Sequence, residues 1–456
     1  MELSLKEVLE ATGGRRLQGE EEQTFTGVST DSRTLTPGEL FVALKGRRFD
    51  GHQFVQEAAR RGGRGVLIQR PLPLPDGVAA VEVPDTLRAL GDLAAWWRDR
   101  LKAPVIGITG SCGKTTAKEM VARILGLKRR VSASPGNYNN LIGLPLSLLR
   151  APLDAEAVVL EMGMSVPGEI GRLSQIARPT VGAVTNVAPV HLEGLSSLEA
   201  VREAKAEILQ GLGGESTFVY NGDDPYVKAI ARRFSGEKIP FGKGEDTMVR
   251  AKEIRPEERG TTFTLLSPWG EVPLRLKVLG EGGVYSALCA AACALAVGAT
   301  LDEVKGGLEA FEPLPMRMEL LELGGVKVIN DAYNSNPAAV KAALKVLASR
   351  GGRRIAVLGD MAELGDQAKA FHLRVGELCA ELGLEGLFLL GDLAPAVAQG
   401  ARDKGLNGHV FIAQDHEELA EALSSFLKRG DWLLIKGSRI MAMERVLEGL
   451  QGRLQG

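Results

Sequence analysis

Cysteine is scarce in this chain and does not pair. Its 456 residues hold four cysteines, Cys112, Cys289, Cys293 and Cys379, with no Cys-x-x-Cys spacing. They read as reduced thiols of a cytosolic protein. An excess of one charge is also missing. The formal net charge of −2 removes the electrostatic case for nucleic-acid binding. Residues Met1 to Glu10 carry acids and no apolar h-region, so no signal peptide is expected and the location is expected to be cytoplasmic. The stretch 282–301 is uncharged, but it is dominated by Ala and Gly with Tyr285 and Ser286 inside. Alanine contributes little to bilayer insertion, so a buried helix packed on a sheet is expected and membrane insertion is not. Solenoid repeats and low-complexity tracts are absent.

The hydrophobic content, 45 %, is enough for several cores, and the length allows two to four domains of ~150 residues. Short strands are expected at Leu40–Leu44 and Gly65–Ile68. Leu87, Leu90, Leu93, Ala94, Trp97 and Leu101 recur at helical spacing, which makes Trp97 a core residue. Ala103-Pro104 breaks this pattern. From 105 to about 310 strands alternate with helices, with strands at Ala157–Leu160, Val181–Val187 and Thr217–Tyr220. That alternation predicts a parallel sheet covered on both faces. Thr262, Phe263, Leu265, Val272, Leu274 and Leu276 suggest antiparallel strands within 255–279. Phe311-Glu-Pro-Leu-Pro315 is a stiff connection. Beyond it, apolar runs at Val326–Ile329, Arg354–Leu358, Leu387–Leu390, His409–Ile412 and Trp432–Ile435 alternate with helical stretches, as in a small doubly wound unit. The expected fold is α/β in three domains. These are a small mixed α/β domain (1–103), a central parallel-sheet domain with a phosphate loop (104–312), and a C-terminal Rossmann-like doubly wound domain (313–456).

Residues 105–116 carry the clearest chemistry. Val105–Ile108 reads as a buried strand running into Thr109-Gly-Ser-Cys-Gly-Lys-Thr-Thr116, and a helix-like stretch, Ala117–Leu127, follows. Strand, glycine loop, Lys-Thr and helix form the phosphate-binding arrangement of nucleoside-triphosphate enzymes. Small residues let backbone N–H groups curl around an anion, and the helix N-terminus adds partial positive charge. Lys114 is expected at the β- and γ-phosphates, and the Thr115 hydroxyl at Mg²⁺. The general pattern places a glycine at 108, where this chain has Ile108, so the loop is a short variant.

Open α/β sheets bind ligands at the carboxyl ends of their strands. Glu161 closes one apolar strand; Asn186 and then His191 follow another. An acid and a histidine beside a triphosphate suit a Mg²⁺ site, although each alone also reads as a cap or a satisfied loop residue. Lys205, in Glu203-Ala-Lys-Ala-Glu-Ile208, reads by default as a solvent-facing lysine on a charged helix. Asp331, Tyr333, Asn334 and Asn336 follow the strand at 326–330; they suit either a ribose or base contact, or a turn. Arg317 could approach a phosphate, and Lys436-Gly-Ser-Arg439 an anion.

Taken in order, these segments resemble the Mur ligase family, the ATP-dependent amide-forming enzymes of peptidoglycan assembly, over nearly the whole chain. The loop Thr109–Thr115 is the short family form. Asp31-Ser-Arg33, Leu40–Gly46 and Asp50-Gly-His52 are similar to the N-terminal module that holds the UDP end. Gly136–Pro145 and Gly359–Gly365 resemble segments of the member that joins D-alanyl-D-alanine to UDP-N-acetylmuramoyl-tripeptide. The Asp-Asn-Pro-Arg motif of the diaminopimelate-adding sister is absent.

The resemblance implies a ligase acting through an acyl phosphate, with those two substrates as partners, ATP and two Mg²⁺ ions as cofactors, and a monomer. It places Thr109, Gly110, Ser111, Cys112, Gly113, Lys114, Thr115, Thr116, Arg317, Asp331 and Asn334 around ATP. It places Thr30, Asp31, Ser32, Arg33, Gly46, Asn137, Asn139 and Asn140 at the substrate. Glu161 and His191 match metal ligands, joined by Thr115, and Lys205 matches a lysine that several members carry as a carbamate. Lys114, Glu161, His191 and Lys205 are the implied catalytic set. Lys436, Ser438 and Arg439 match a segment near the cleft.

After Gly280 the family usually has a His-Asn pair and a further Asn. This chain has Gly282, Gly283 and Ser286, so a base-contacting side chain is missing. The alternatives are a sibling ligase (diaminopimelate- or lysine-adding, or of folylpolyglutamate type) that differs in its acceptor pocket, and a nucleotide-dependent regulator or motor that hydrolyses ATP without ligation.

Overall fold

A computed structural model describes residues 1–46, 49–190, 192–195 and 197–454. Val105–Thr109 is buried along its whole length, as a β-branched run between two covered faces requires. It lies inside a nine-stranded sheet. Ala157–Glu161 and then Val131–Ala133 pair on one side of it. Val181–Val184, Thr217–Asn221 and Glu237–Gly242 follow on the other, all parallel. The chain passes to one side of the strand and then to the other, so its carboxyl end lies at the topological switch point, where α/β sheets bind ligands. Val249–Glu257 continues the parallel order. Gly260–Ser267 and Gly270–Leu276 then complete an antiparallel extension.

Three helices, Lys114–Leu125, Gly280–Ala296 and Leu301–Glu309, cover one face of this sheet. Lys114–Leu125 packs against the Ala-rich helix Gly280–Ala296, which is buried nearly throughout. No helix among the described residues is long and apolar enough to cross a membrane. The helices Gly143–Arg150 and Glu169–Ala177 lie on the opposite face, and the helix Thr86–Arg100 packs on both of them, between the central sheet and the N-terminal five-stranded sheet. Trp97 is buried there, and its indole N–H donates to Ala151 O at 3.0 Å. The C-terminal sheet has six strands. Val326–Asp331, Trp432–Lys436 and Arg354–Gly359 lie side by side and parallel, and the antiparallel strand Glu319–Leu323 closes one edge.

Element types follow the sequence reading; their ends do not always. The strand expected to reach Val187 stops at Val184; Thr185 N still donates to Thr109 O, and the Thr185 and Asn186 side chains bind the phosphate loop. The helix expected from Ala117 begins at Lys114, directly after Gly113. The antiparallel region begins at Val249, earlier than expected.

Removing the Trp97 side chain would leave a cavity where the helix Thr86–Arg100 meets the central unit. We expect Trp97→Ala to cost about 3–5 kcal/mol and to lower the midpoint of urea unfolding followed by circular dichroism.

Candidate active site

The phosphate loop owes its shape to a close approach. Gly110 has φ +145°, and a Cβ there would lie 1.9 Å from Thr185 Oγ1, so only glycine lets the two strand ends abut. Thr185 Oγ1 donates to Cys112 O at 2.6 Å. Asn186 grips the same residue twice: its Oδ1 accepts from Cys112 N at 2.9 Å and its Nδ2 donates to Cys112 O at 3.1 Å. Ser111 N donates to Asn186 O at 3.0 Å, and Ser111 Oγ exchanges bonds with Ala188. Gly113, at φ +80°, then opens the helix Lys114–Leu125, whose N-terminus has no side-chain cap. Uncapped first-turn amides beside a glycine loop make an anion cradle. Lys114 Nζ donates to Gly110 O at 2.7 Å across that loop. Burial lowers the Lys114 pKa below the ordinary lysine value; the charges of Glu161 and Cys112 oppose this, and that of Arg317 adds to it.

Glu161 ends the neighbouring strand and is 2 % exposed. Its Oε1 accepts from Asn139 Nδ2 at 2.8 Å, whereas its Oε2 is buried without a hydrogen-bond partner. An unpaired buried carboxylate oxygen is costly, and a hard cation is what would satisfy it. Thr115, also buried, brings a hydroxyl from the first turn of the phosphate-loop helix. Among the described residues no three His, Cys, Asp or Glu side chains cluster as a ready-made cage. Mg²⁺, which keeps waters and takes substrate phosphates as ligands, fits such a sparse donor set.

Lys205 is 1 % exposed, so the expected solvent-facing lysine is instead a buried one. Burial pushes its pKa well below the ordinary value and the charge of Lys114 pushes the same way, against Cys112, Glu161 and Glu207. His191 lies outside the described residues.

The C-terminal unit reaches the same loop. Asn336 caps the helix Pro337–Ala348 through Ala339 N, and its Nδ2 donates to Cys112 Sγ at 3.2 Å. Arg317 lies over the Tyr333 ring, 4.0 Å from its centroid. It sits between Met316 and Met318, both left-handed at φ +58° and +51°. Asp331 accepts from Lys436 Nζ at 2.5 Å and from Met318 N at 3.1 Å. Asn334 takes part through its carbonyl, which accepts from Lys436 at 2.9 Å, while its side chain accepts from Ser335 N. Ser438 Oγ accepts from Ala362 N at 2.7 Å, inside the segment 359–365. That segment meets the central unit where Glu193 N donates to Glu363 O.

The residues expected at the substrate form a separate group. Arg33 pairs with Asp31 at 2.7 Å and holds its carboxyl down at about 2. Ser32 donates to Glu57, and Gly46 N to Phe49 O. Thr30 stands beside Asp31, and both are partly exposed. Among the described residues, no hydrogen bond or ion pair links this group to the phosphate loop. Of the three asparagines, Asn139 touches Glu161, Asn140 Oδ1 accepts from Ile142 N and Gly143 N where the helix Gly143–Arg150 begins, and Asn137 is exposed.

Comparison with known proteins accounts for this arrangement. Residues 24–98, 108–294 and 316–439 match, in turn, the Mur ligase family catalytic domain, the Mur ligase middle domain, and the Mur ligase glutamate ligase domain. The UDP-N-acetylmuramoyl-tripeptide–D-alanyl-D-alanine ligase of Bacillus subtilis is 36 % identical over 98 % of both chains. That of Escherichia coli is 38 % identical over 94 % of both. The chain belongs to the Mur ligase family. Among solved structures, MurF from Acinetobacter baumannii superposes with a TM-score of 0.93 at 31 % identity, covering 99 % of both chains. MurF ligase from Thermotoga maritima in complex with ADP gives 0.86 at 31 % identity, covering 94 % of this chain and 97 % of that one.

Gly282, Gly283 and Ser286 stand in the first two turns of the helix Gly280–Ala296, which meets the phosphate loop at Ser286. A Cβ on Gly113 would meet Ser286 Oγ at 3.0 Å, and that hydroxyl donates to Gly282 O. The adjacent Tyr285 donates its hydroxyl to Asp223 Oδ2 at 2.7 Å. Sequence reasoning marked Asn186 and Asn336 only as strand-end residues and missed Lys118, Thr185 and Asp223. The bonds of Thr185, Asn186 and Asn336 to Cys112 and of Asp223 to Tyr285 span 62 to 224 positions, and no local pattern announces them.

Asn186→Ala removes both side-chain bonds to Cys112 while leaving the cradle glycines in place. We expect KM for ATP to rise about ten- to a hundredfold, read from steady-state rates against ATP concentration.

Proposed function

We infer that this chain is an ATP-dependent ligase that joins D-alanyl-D-alanine to UDP-N-acetylmuramoyl-tripeptide, giving the UDP-muramoyl-pentapeptide of peptidoglycan synthesis. The observation that carries the reading is the glycine cradle with Lys114, set beside a buried carboxylate that has one oxygen unpaired. The named activity of its full-length relatives supplies the substrates.

The reaction requires the tripeptide's terminal carboxylate to attack the γ-phosphorus of ATP. The P–O bond to ADP breaks and an acyl phosphate forms. The free amine of D-alanyl-D-alanine then adds to the acyl carbon, loses a proton, and expels phosphate. Backbone amides of 110–116 orient the triphosphate, and Lys114 offsets charge that develops on the transferred group. Thr115 and Glu161 would hold Mg²⁺, with His191 and a carbamylated Lys205 completing the set. When bound, the metal neutralises phosphate charge. Buried as it is, Lys205 favours the neutral amine, the form that adds CO₂. Arg317, Asp331 and Asn334 approach ATP from the C-terminal unit, and Asn336 against Cys112 brings that unit over the loop, excluding water.

We assign residues 1–103 to the UDP-muramoyl substrate, with Thr30, Asp31, Ser32, Arg33, Gly46, Asn137, Asn139 and Asn140 contacting it. Residues 104–312 take ATP, and 313–456 complete the ligase site. A monomer in the cytoplasm is the proposed working form; the free cysteines agree with a reducing compartment.

Incubation with ATP, Mg²⁺, UDP-muramoyl-tripeptide and D-alanyl-D-alanine should yield the pentapeptide by mass spectrometry. Lys114→Ala should reduce its rate by about 10²–10³-fold without changing the circular dichroism spectrum; substantial turnover would overturn the loop assignment. Lys205→Ala should lose activity and regain part of it with added short carboxylates. Because burial lowers the Lys205 pKa and so favours the neutral amine, wild-type enzyme depleted of CO₂ should lose activity and regain it when bicarbonate is restored, read from the rate of pentapeptide formation. Absence of both effects would sink the carbamate.

A further inference from the structure

Lys118 takes no part in the chemistry above. It lies one turn beyond Lys114 on the same helix, and its side chain is 0 % exposed. A buried ammonium needs every N–H engaged. Lys118 Nζ donates to Ser134 O at 2.5 Å and to Gly136 O at 3.2 Å, and pairs with Glu119 Oε1 at 2.7 Å. Three acceptors meet its three donors. Two of them are main-chain carbonyls of the connection that leaves Val131–Ala133. Residues 135–138 of that connection are exposed, so apolar burial does little to fix its path.

Two bonds run from this connection to Glu161. Glu161 N donates to Ser134 Oγ at 3.3 Å, and Asn139 Nδ2 donates to Glu161 Oε1 at 2.8 Å. Asn139 is itself anchored, its carbonyl accepting from Gly163 N at 2.7 Å. The carboxylate is thus held by one oxygen, and Oε2 alone is left buried and unpaired.

We propose that Lys118 is a positioning residue for the metal ligand: it pins the 134–136 carbonyls, so that Ser134 and Asn139 hold Glu161 with one oxygen turned to Mg²⁺. The proposal rests on the reading of Glu161 as that ligand. The phosphate-loop helix therefore carries two lysines, four residues apart, with different tasks. Lys114 meets the nucleotide, and Lys118 sets the group across from it.

The test uses the full chain with Mn²⁺ as the probe and a non-hydrolysable ATP analogue. Free Mn²⁺ is read by electron paramagnetic resonance. Lys118→Met keeps the length and loses the donors. Its Mn²⁺ dissociation constant should rise about tenfold or more, while metal-free affinity for the analogue and KM for D-alanyl-D-alanine stay unchanged. A purely structural lysine would not produce that split. Should Lys118→Met fail to fold, Ser134→Ala with Asn139→Ala leaves the helix intact and should give the same loss of Mn²⁺. Unchanged Mn²⁺ binding in folded Lys118→Met, or in the double variant, overturns the proposal. Glu161→Gln run alongside separates the two readings. If it too binds Mn²⁺ normally, the metal assignment falls and the tether with it. If it loses Mn²⁺ while Lys118→Met does not, the tether alone falls.

Discussion

The grip of Thr185 and Asn186 on the Cys112 peptide is the constraint on which the site depends. An anion cradle works only if its amides already converge before the anion arrives, because ordering them on binding would cost conformational entropy. Here the ordering is done by two side chains at the neighbouring strand end, which supply acceptors and donors. Glycine at 110 is the condition for that approach. The loop is therefore shaped by a contact between two strand ends, and its short spacing leaves enough backbone to surround a phosphate.

A second level of organisation joins the units. Both large sheets place their chemistry at carboxyl strand ends near a switch in strand order. The contact of Asn336 with Cys112, and of segment 359–365 with Glu193, brings those ends together. The resulting cleft combines buried lysines with a buried carboxylate. Each is costly alone; the Glu161 charge offsets part of that cost for both lysines, while the Lys114 charge adds to it at Lys205. Such a concentration of desolvated charge is expected where phosphoryl transfer must proceed away from water.

The sequence disclosed elements more readily than contacts. Val105–Thr109, with its apolar run and following glycines, announces strand, loop and helix through local chemistry alone. Trp97 falls on a helical stripe and is core. Lys205 shows where local reading stops: on a charged helix it looks exposed, and only tertiary packing buries it. Lys118 fails for the same reason, because its acceptors are carbonyls of a loop that no periodicity marks. Asn186 and Asn336 were visible as polar residues after strands, but a strand-end asparagine has too many uses for position to choose among them. The resemblance to a family supplied roles for Glu161 and Lys205 that spacing could not, and the departure at Gly282, Gly283 and Ser286 was legible only against that resemblance.

The paired left-handed residues around Arg317 bear on how the C-terminal unit joins the central one. Met316 and Met318 hold a conformation that ordinary side chains disfavour by roughly 1–2 kcal/mol each. Glu319 and Asp331 fasten their amides. Together with Pro313 and Pro315, this makes a wound elbow out of what could have been a slack tether. The direction in which the C-terminal unit leaves the central one is therefore set by Met316, Met318 and the carboxylates that hold their amides, with the Arg317 guanidinium seated at the bend.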